Sequence, residues 1–313
     1  ICQTSPTVPL PTATAIYATS LLWTTTGTGT FADPTLLNAV YQPSAADIAA
    51  GSVVLTLTGT SAAPCVDAVD QLTLYITSQA LAFAGPDDII CETAGTFTLA
   101  AATAGSYTSL MWTSSGTGTF DDPTLLNPVY TPDANDITNG SVILSLTAYG
   151  MFPCADSTHS MTLYISRQAI VDAGTDITIC QTSPDVPLPA ATAIYATSLL
   201  WTTSGTGTFV DPTILNAIYQ PSVADIAAGS VILTLTGTSA APCVDAVDQL
   251  TLFITSQAIA FAGPDDIICE TAGSYTLAAA TAGSYTSLLW ATSGTGTFDD
   301  PTLLNPVYTP DAN

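Results

Sequence analysis

Apolar and polar residues alternate with a period of two through most of this sequence. In the run Ser52-Val53-Val54-Leu55-Thr56-Leu57-Thr58, the residues Val53, Leu55 and Leu57 fall on one face and Thr56 and Thr58 on the other, as in a strand with one buried side. Gln71 to Thr77 repeats the device, and further strands are predicted at Thr96 to Ala100, Ser109 to Ser114, Gly118 to Phe120 and Asn127 to Thr131. Thr, Val, Ile and Tyr suit such half-buried pleated surfaces. Gly-Thr-Gly, Asp122-Pro123, Pro132-Asp133 and Asn139-Gly140 punctuate the runs with turns. The one helical signal, Ala46 to Gly51, predicts a single turn ended by glycine that crosses between sheets. Six or seven short strands around a tryptophan predict an all-β fold, an immunoglobulin-like β-sandwich.

The pattern recurs. Trp23, Trp112, Trp201 and Trp290 step by 89 residues, as do Tyr41, Tyr130, Tyr219 and Tyr308. Residues 1–135 and 179–313 differ at only 15 positions, so the units alternate as A-B-A-B and the chain predicts a tandem array of sandwiches of about 89 residues each. The expected domains are 1–79 (N-terminally cut), 80–168, 169–257 and 258–313 (C-terminally cut), an excerpt of a longer array. The tryptophans, flanked by leucines, are the predicted core.

Charge narrows the function classes. With 25 Asp and Glu against one Lys or Arg, the net charge is −24, which argues against nucleic acid, whose phosphates require clustered bases. Yet 47% of residues are apolar and only 8% charged, enough for packed cores rather than a disordered polyanion. No apolar run is long enough for a spanning helix.

The seven cysteines, at 2, 65, 91, 154, 180, 243 and 269, form two interleaved series on the same period and point to an oxidising compartment. One phase pairs Cys2 with Cys65, Cys91 with Cys154 and Cys180 with Cys243, leaving the partner of Cys269 outside the chain. It is preferred because each bond closes a loop of about 60 residues inside one domain, worth roughly 4 kcal/mol. The other phase, beginning with Cys65 to Cys91, staples neighbouring domains and stays open. Zinc is disfavoured, since no C-x-x-C is present.

Candidate chemistry is sparse. His159 sits among hydroxyls, but its column holds Asp70 and Asp248 in other units, which marks a surface residue rather than a general base. Arg167 takes a column held by Ser78 and Ser256. The G-x-G strings lack the helix and lysine of a phosphate loop and read as hairpin turns. The pairs Asp87-Asp88, Asp121-Asp122, Asp265-Asp266 and Asp299-Asp300 lie in loops, where they are candidates for Ca²⁺ or, on the other reading, cap turns and keep the array soluble. No other cofactor and no catalytic residue is expected. Tyr17, Tyr195, Tyr107 and Tyr285 are the aromatic candidates for a glycan site.

The phrase Gly116-Thr117-Gly118-Thr119-Phe120-Asp121-Asp122-Pro123-Thr124-Leu125-Leu126-Asn127, with Tyr130-x-Pro132, Gly140-Ser141-Val142-Ile143-Leu144, a late Cys and the strand Met161 to Ile165, resembles the tandem immunoglobulin-like or PKD-like repeats of giant Bacteroidota surface proteins. The resemblance implies type IX-secreted, cell-surface adhesins, including those of gliding motility. The expectation is a non-catalytic extracellular stalk or filament built from disulfide-stapled repeats. Its partners would be further copies of its own repeats and an unseen surface or glycan ligand. The alternative is a glycan- or calcium-binding module. The direct junction from Tyr75 to Asp87, without a Gly/Ser linker, fits the structural reading.

Overall fold

The computed structural model describes residues 1–311; Ala312 and Asn313, the end of the fourth stretch, lie outside it. The protein is all-β, with immunoglobulin-like sandwiches in tandem. It divides into two compact units, Ile1–Arg167 with Ala241–Cys243, and Gln168–Ala240 with Val244–Asn313.

In the first unit the second repeat shows the complete pattern. Tyr107–Ser114, Ser141–Gly150, Ser157–Ser166 and Asp88–Cys91 form a four-stranded sheet in that order, the last pair parallel and the others antiparallel. Opposite lie a three-stranded sheet of Thr119–Phe120, Val129–Thr131 and Phe97–Thr98 and the pair Thr103–Gly105 with Leu81–Phe83. In Ser141–Gly150 the residues Val142, Leu144, Leu146 and Ala148 are buried while Ile143 faces out, so the period-two reading is literal. Trp112, Tyr130, Leu144, Leu146 and Leu163 meet in the core between the sheets.

The helical turn is real and short. Ala45–Ala50 begins at Ser44, whose hydroxyl accepts from the Asp47 amide, and ends at Gly51 with φ 74°. Ala134–Asn139 and Val223–Ala228 repeat it with Asp133 and Ser222 as caps. Each turn delivers the chain to an inner strand of the large sheet.

The sequence pattern overlooked three short strands. Thr103–Gly105, Leu81–Phe83 and Asp88–Cys91 carry three or four residues each, too few for alternation to register. In the second unit Ile170–Asp172 lies against the last strand, Ala246–Thr255, and Leu250 is 2% exposed.

Trp23, Trp112 and Trp201 are buried, each beside a phenylalanine that in turn touches the core tyrosine, as in Trp112, Phe120 and Tyr130. Trp290 is half-buried. Trp112→Ala is expected to cost about 4 kcal/mol, which thermal unfolding of the variant checks.

Candidate functional site

The most elaborate polar arrangement lies where no candidate was placed. Asp47, three residues into the helical turn, is 3% exposed. Its Oδ2 accepts from the Tyr41 hydroxyl (2.7 Å), the Gly29 amide (2.9 Å) and the Ser44 amide (2.9 Å), and its Oδ1 accepts from the Thr28 amide (3.0 Å). Asp136 and Asp225 repeat the set with Tyr130 and Tyr219, each at 2.7 Å. The Gly-Thr-Gly string therefore does cradle an anion, as phosphate loops do, but the anion is a carboxylate of the same domain. A Cβ on Gly116 would collide with the Asp136 carboxylate, and one on Gly118 with the Thr131 carbonyl and the Tyr130 hydroxyl. That is why both positions are glycine.

The electrostatics follow. Burial pushes the Asp47 carboxyl up, but the Ser44 amide, the Tyr41 hydroxyl and the Thr28 amide outweigh it and hold its pKa below the usual value. Asp225 is lowered by the same balance. Tyr130 and Tyr219 are pushed up to about 12, by burial first and then by bonding to the aspartate. The signal was readable in principle: Tyr41, Ser44 and Asp47 recur at 89-residue steps as tyrosine, cap and aspartate.

The cysteines overturn both phases considered from the sequence. The bonds are Cys2 to Cys154 and Cys91 to Cys243, each spanning 152 residues, with Cα atoms 4.8 and 4.9 Å apart. Cys65, Cys180 and Cys269 carry no disulfide. Pairing inside a repeat fails on distance. Cys91 lies in register with Ser166, at the end of the last strand. Cys154 precedes Ser157, at the start of that same ten-residue strand. The two are therefore separated by about 30 Å along the sheet, at about 3.3 Å per residue, against the 7 Å that a disulfide tolerates. Each early cysteine instead meets the late cysteine one repeat further on. The Cys154 sulfur lies 3.2 Å from the Thr77 carbonyl, and the Gln79 amide donates to the Ala155 carbonyl at 2.9 Å. At the second bond the Ser166 hydroxyl donates to the Ala241 carbonyl at 2.8 Å.

The remaining candidates fall into place as local structure. His159 is not a free surface residue: it is half-buried, its ring lies against Phe83 at 4.9 Å, and its Nδ1 accepts from the Ala84 amide. Asp248 accepts likewise from Ala173 at 2.8 Å, so the column holds a leading strand in place whichever acceptor fills it. Arg167 pairs with Glu92 at 3.7 Å. Among the loop aspartates, Asp87 accepts from the Thr162 amide, Asp88 from Ile89, and Asp121 from Asp122 and Val129. Asp122 and Asp300 each bond a threonine two residues on. Asp266 accepts from Ile267 and the Tyr275 hydroxyl, and Asp299 from Asp300 and Val307. Asp265 is exposed. Among the described residues no group of three or more His, Cys, Asp or Glu side chains is placed to hold a metal ion. Tyr17 is 96% exposed, with φ 61°, and Tyr195, Tyr107 and Tyr285 are exposed by 41 to 49%.

No family model matches this chain, and no curated protein does. Solved structures that resemble it include a three-domain I-band fragment of titin (11% identity, 75% of this chain and 87% of that one, TM-score 0.45). Another is the extracellular domains 3–5 of Drosophila OTK (11%, 75% and 85%, TM-score 0.39). A third is a protocadherin gammaB7 cis-dimer structure (10%, 99% and 88%, TM-score 0.34). The fold assignment rests on the sheet topology described above.

Two outcomes are expected. The spans of the two disulfides overlap, so any single backbone cut between residues 2 and 243 is bridged by at least one of them. A single cleavage at any aspartate between residues 2 and 243 should leave its fragments joined on a non-reducing gel and separate on a reducing one, whereas a cut at Asp245 or beyond releases a C-terminal piece in both, and linked peptides should join Cys2 to Cys154 and Cys91 to Cys243. A peptide joining Cys91 to Cys154 would refute this connectivity. For the buried carboxylate, Asp47→Asn is expected to cost about 2 to 3 kcal/mol at pH 7. Because the folded-state pKa lies below the unfolded value of about 3.9, the contribution is complete above that value and is lost as pH falls through the lowered one. The gap in melting temperature between the two proteins should therefore be constant above about pH 5 and close below about pH 4.

Proposed function

We propose that this chain is a stretch of an extracellular, non-catalytic structural array, the stalk of a cell-surface adhesin. The observation that carries the reading is the connectivity of the cysteines. A bond from each early cysteine to the late cysteine of the next repeat adds nothing to the closure of one domain, but it couples successive domains covalently. That arrangement serves a molecule that must transmit load or hold its length. The loop carboxylates accept bonds from turn amides and hydroxyls, so the reading requires no metal. No helix among the described residues is long and apolar enough to cross a membrane.

The finer assignment is the one the repeat motif suggests, a Bacteroidota adhesin exported by the type IX system and used for attachment or gliding. The near-identity of alternate repeats supports it, since duplication of this kind changes length without adding a new site. The single Arg and absent Lys leave trypsin-like proteases one place to cut, which suits an exposed surface structure.

The test is negative-stain electron microscopy of native material with and without reductant. Straight fibres with an axial repeat of one or two domains, softened or lost on reduction, are the expected result. Flexibly beaded particles, unchanged by reductant, would overturn the stalk reading and favour a tethered binding module.

A further inference from the structure

His159 is the one histidine of the chain, and the fold uses it as an acceptor. Its Nδ1 takes the Ala84 amide at 3.2 Å, and its ring centre lies 4.9 Å from that of Phe83. Both contacts fix the leading strand of the second repeat, Leu81–Phe83. Ala80 and Ala84, which bracket that strand, are each 1% exposed and join Met161 and Leu163 in the core. The Ala84 amide is thus closed to water, and a buried amide needs a partner. Within the strand the Ala82 amide donates to the Ser157 hydroxyl at 3.2 Å. The third repeat fills the histidine column with Asp248, which accepts from the Ala173 amide at 2.8 Å, and the first repeat fills it with Asp70.

We propose that His159 is a proton-operated clasp: the neutral ring holds the leading strand of the second repeat on the large sheet, and protonation of Nδ1 lets that strand go. Histidine is the side chain that exchanges a proton between pH 5 and 8. As imidazolium it carries N–H on both nitrogens and has no lone pair to offer, so the Ala84 amide then faces another donor. A carboxyl group keeps an acceptor oxygen in either protonation state, so the matching contact in the third repeat does not open in this way. Nor is the added charge compensated. The leading strand and its neighbour Thr103–Gly105 carry no titratable side chain. Ser141–Gly150 places Leu146 opposite the ring and has Tyr149 as its titratable residue, Tyr107–Ser114 has Tyr107, and the histidine's own strand has Tyr164. Asp156, Asp87 and Asp88 accept from the Gly150, Thr162 and Ile89 amides, and among the described residues none is bonded to the ring. Protonation removes a bond and adds no ion pair, so the clasp is present while the ring is neutral and is lost as pH falls through the histidine range. The freed strand is the one by which the chain enters the second repeat, directly after Gln79. Acid therefore loosens that entry while the bond from Cys2 to Cys154 keeps the two repeats joined.

The experiment is hydrogen–deuterium exchange of the disulfide-bonded full chain, read by mass spectrometry as protection factors so that the intrinsic pH dependence of exchange is divided out. Between about pH 7.5 and about pH 5, protection of residues 80–86 should fall roughly tenfold or more, while that of 169–175 should stay within about twofold. His159→Asp, which gives the column the residue it has in the neighbouring repeats, should abolish the fall. His159→Phe, which keeps a ring and has no acceptor, should leave 80–86 poorly protected at both pH values. Equal protection of 80–86 at the two pH values in the unaltered chain overturns the proposal, as does a fall that survives in His159→Asp. A fall shared by 169–175 and 141–150 also overturns it, since that marks general loosening in acid. If a variant loses its β-sheet circular dichroism, the comparison of 80–86 with 169–175 in the unaltered chain decides.

Discussion

The length of one strand governs how these repeats are joined. Ser157–Ser166 is ten residues long and paired from Ser157 to Tyr164 along one edge, and it holds the two cysteines of its repeat at opposite ends of the sheet. Neither cysteine can reach the other without breaking the ladder. Each is left at an end of its domain, beside the junction to a neighbour, so the same hydrogen bonds that stabilise the fold dictate that the disulfides run between repeats. Closing spans of 152 residues would, by chain entropy, be worth about 5 kcal/mol each. The greater consequence is topological, since overlapping spans leave no stretch between residues 2 and 243 held by backbone alone.

Within a repeat, a second constraint keeps the two sheets in place. The helical turn that connects them is too short to be stable by itself, and it is anchored by its own aspartate. Asp47 ties the turn to the tyrosine of the small sheet and to the amides of the glycine loop. A buried carboxylate is costly unless every lone pair is engaged, and here four or more donors engage it. The glycines, the tyrosine, the cap residue and the aspartate are therefore one device, repeated at 89-residue steps, and each loses its purpose without the others.

The distribution of charge completes the picture. Many carboxylates lie in loops, where they accept bonds from turn amides, while the outward positions of Ser141–Gly150 and Ser157–Ser166 carry hydroxyls and apolar groups. Acidic loops of this kind favour solubility of an edge-rich array through mutual repulsion. The half-buried His159, Asp248 and Ser157 show that different side chains can serve one purpose. Each accepts from or lies beside the backbone of a leading strand, and the identity of the acceptor differs from repeat to repeat.

Much of this was legible in the order of residues, because it depends on local rules. Val53, Leu55 and Leu57 alternate with threonine, so a half-buried strand is implied by side-chain geometry alone; Asp136-Ile137 before Asn139-Gly140 implies a capped turn; and the 89-residue period implies tandem domains. The Asp47 network was written there too, as a recurring tyrosine, cap and aspartate, but spacing does not reveal that three segments converge on one carboxylate. The pairing of cysteines lay beyond sequence entirely. Counting can propose neighbours along the chain, whereas a disulfide forms between neighbours in space, and only the folded sheet shows that the ends of Ser157–Ser166 keep Cys91 and Cys154 apart while the next repeat brings Cys243 to Cys91.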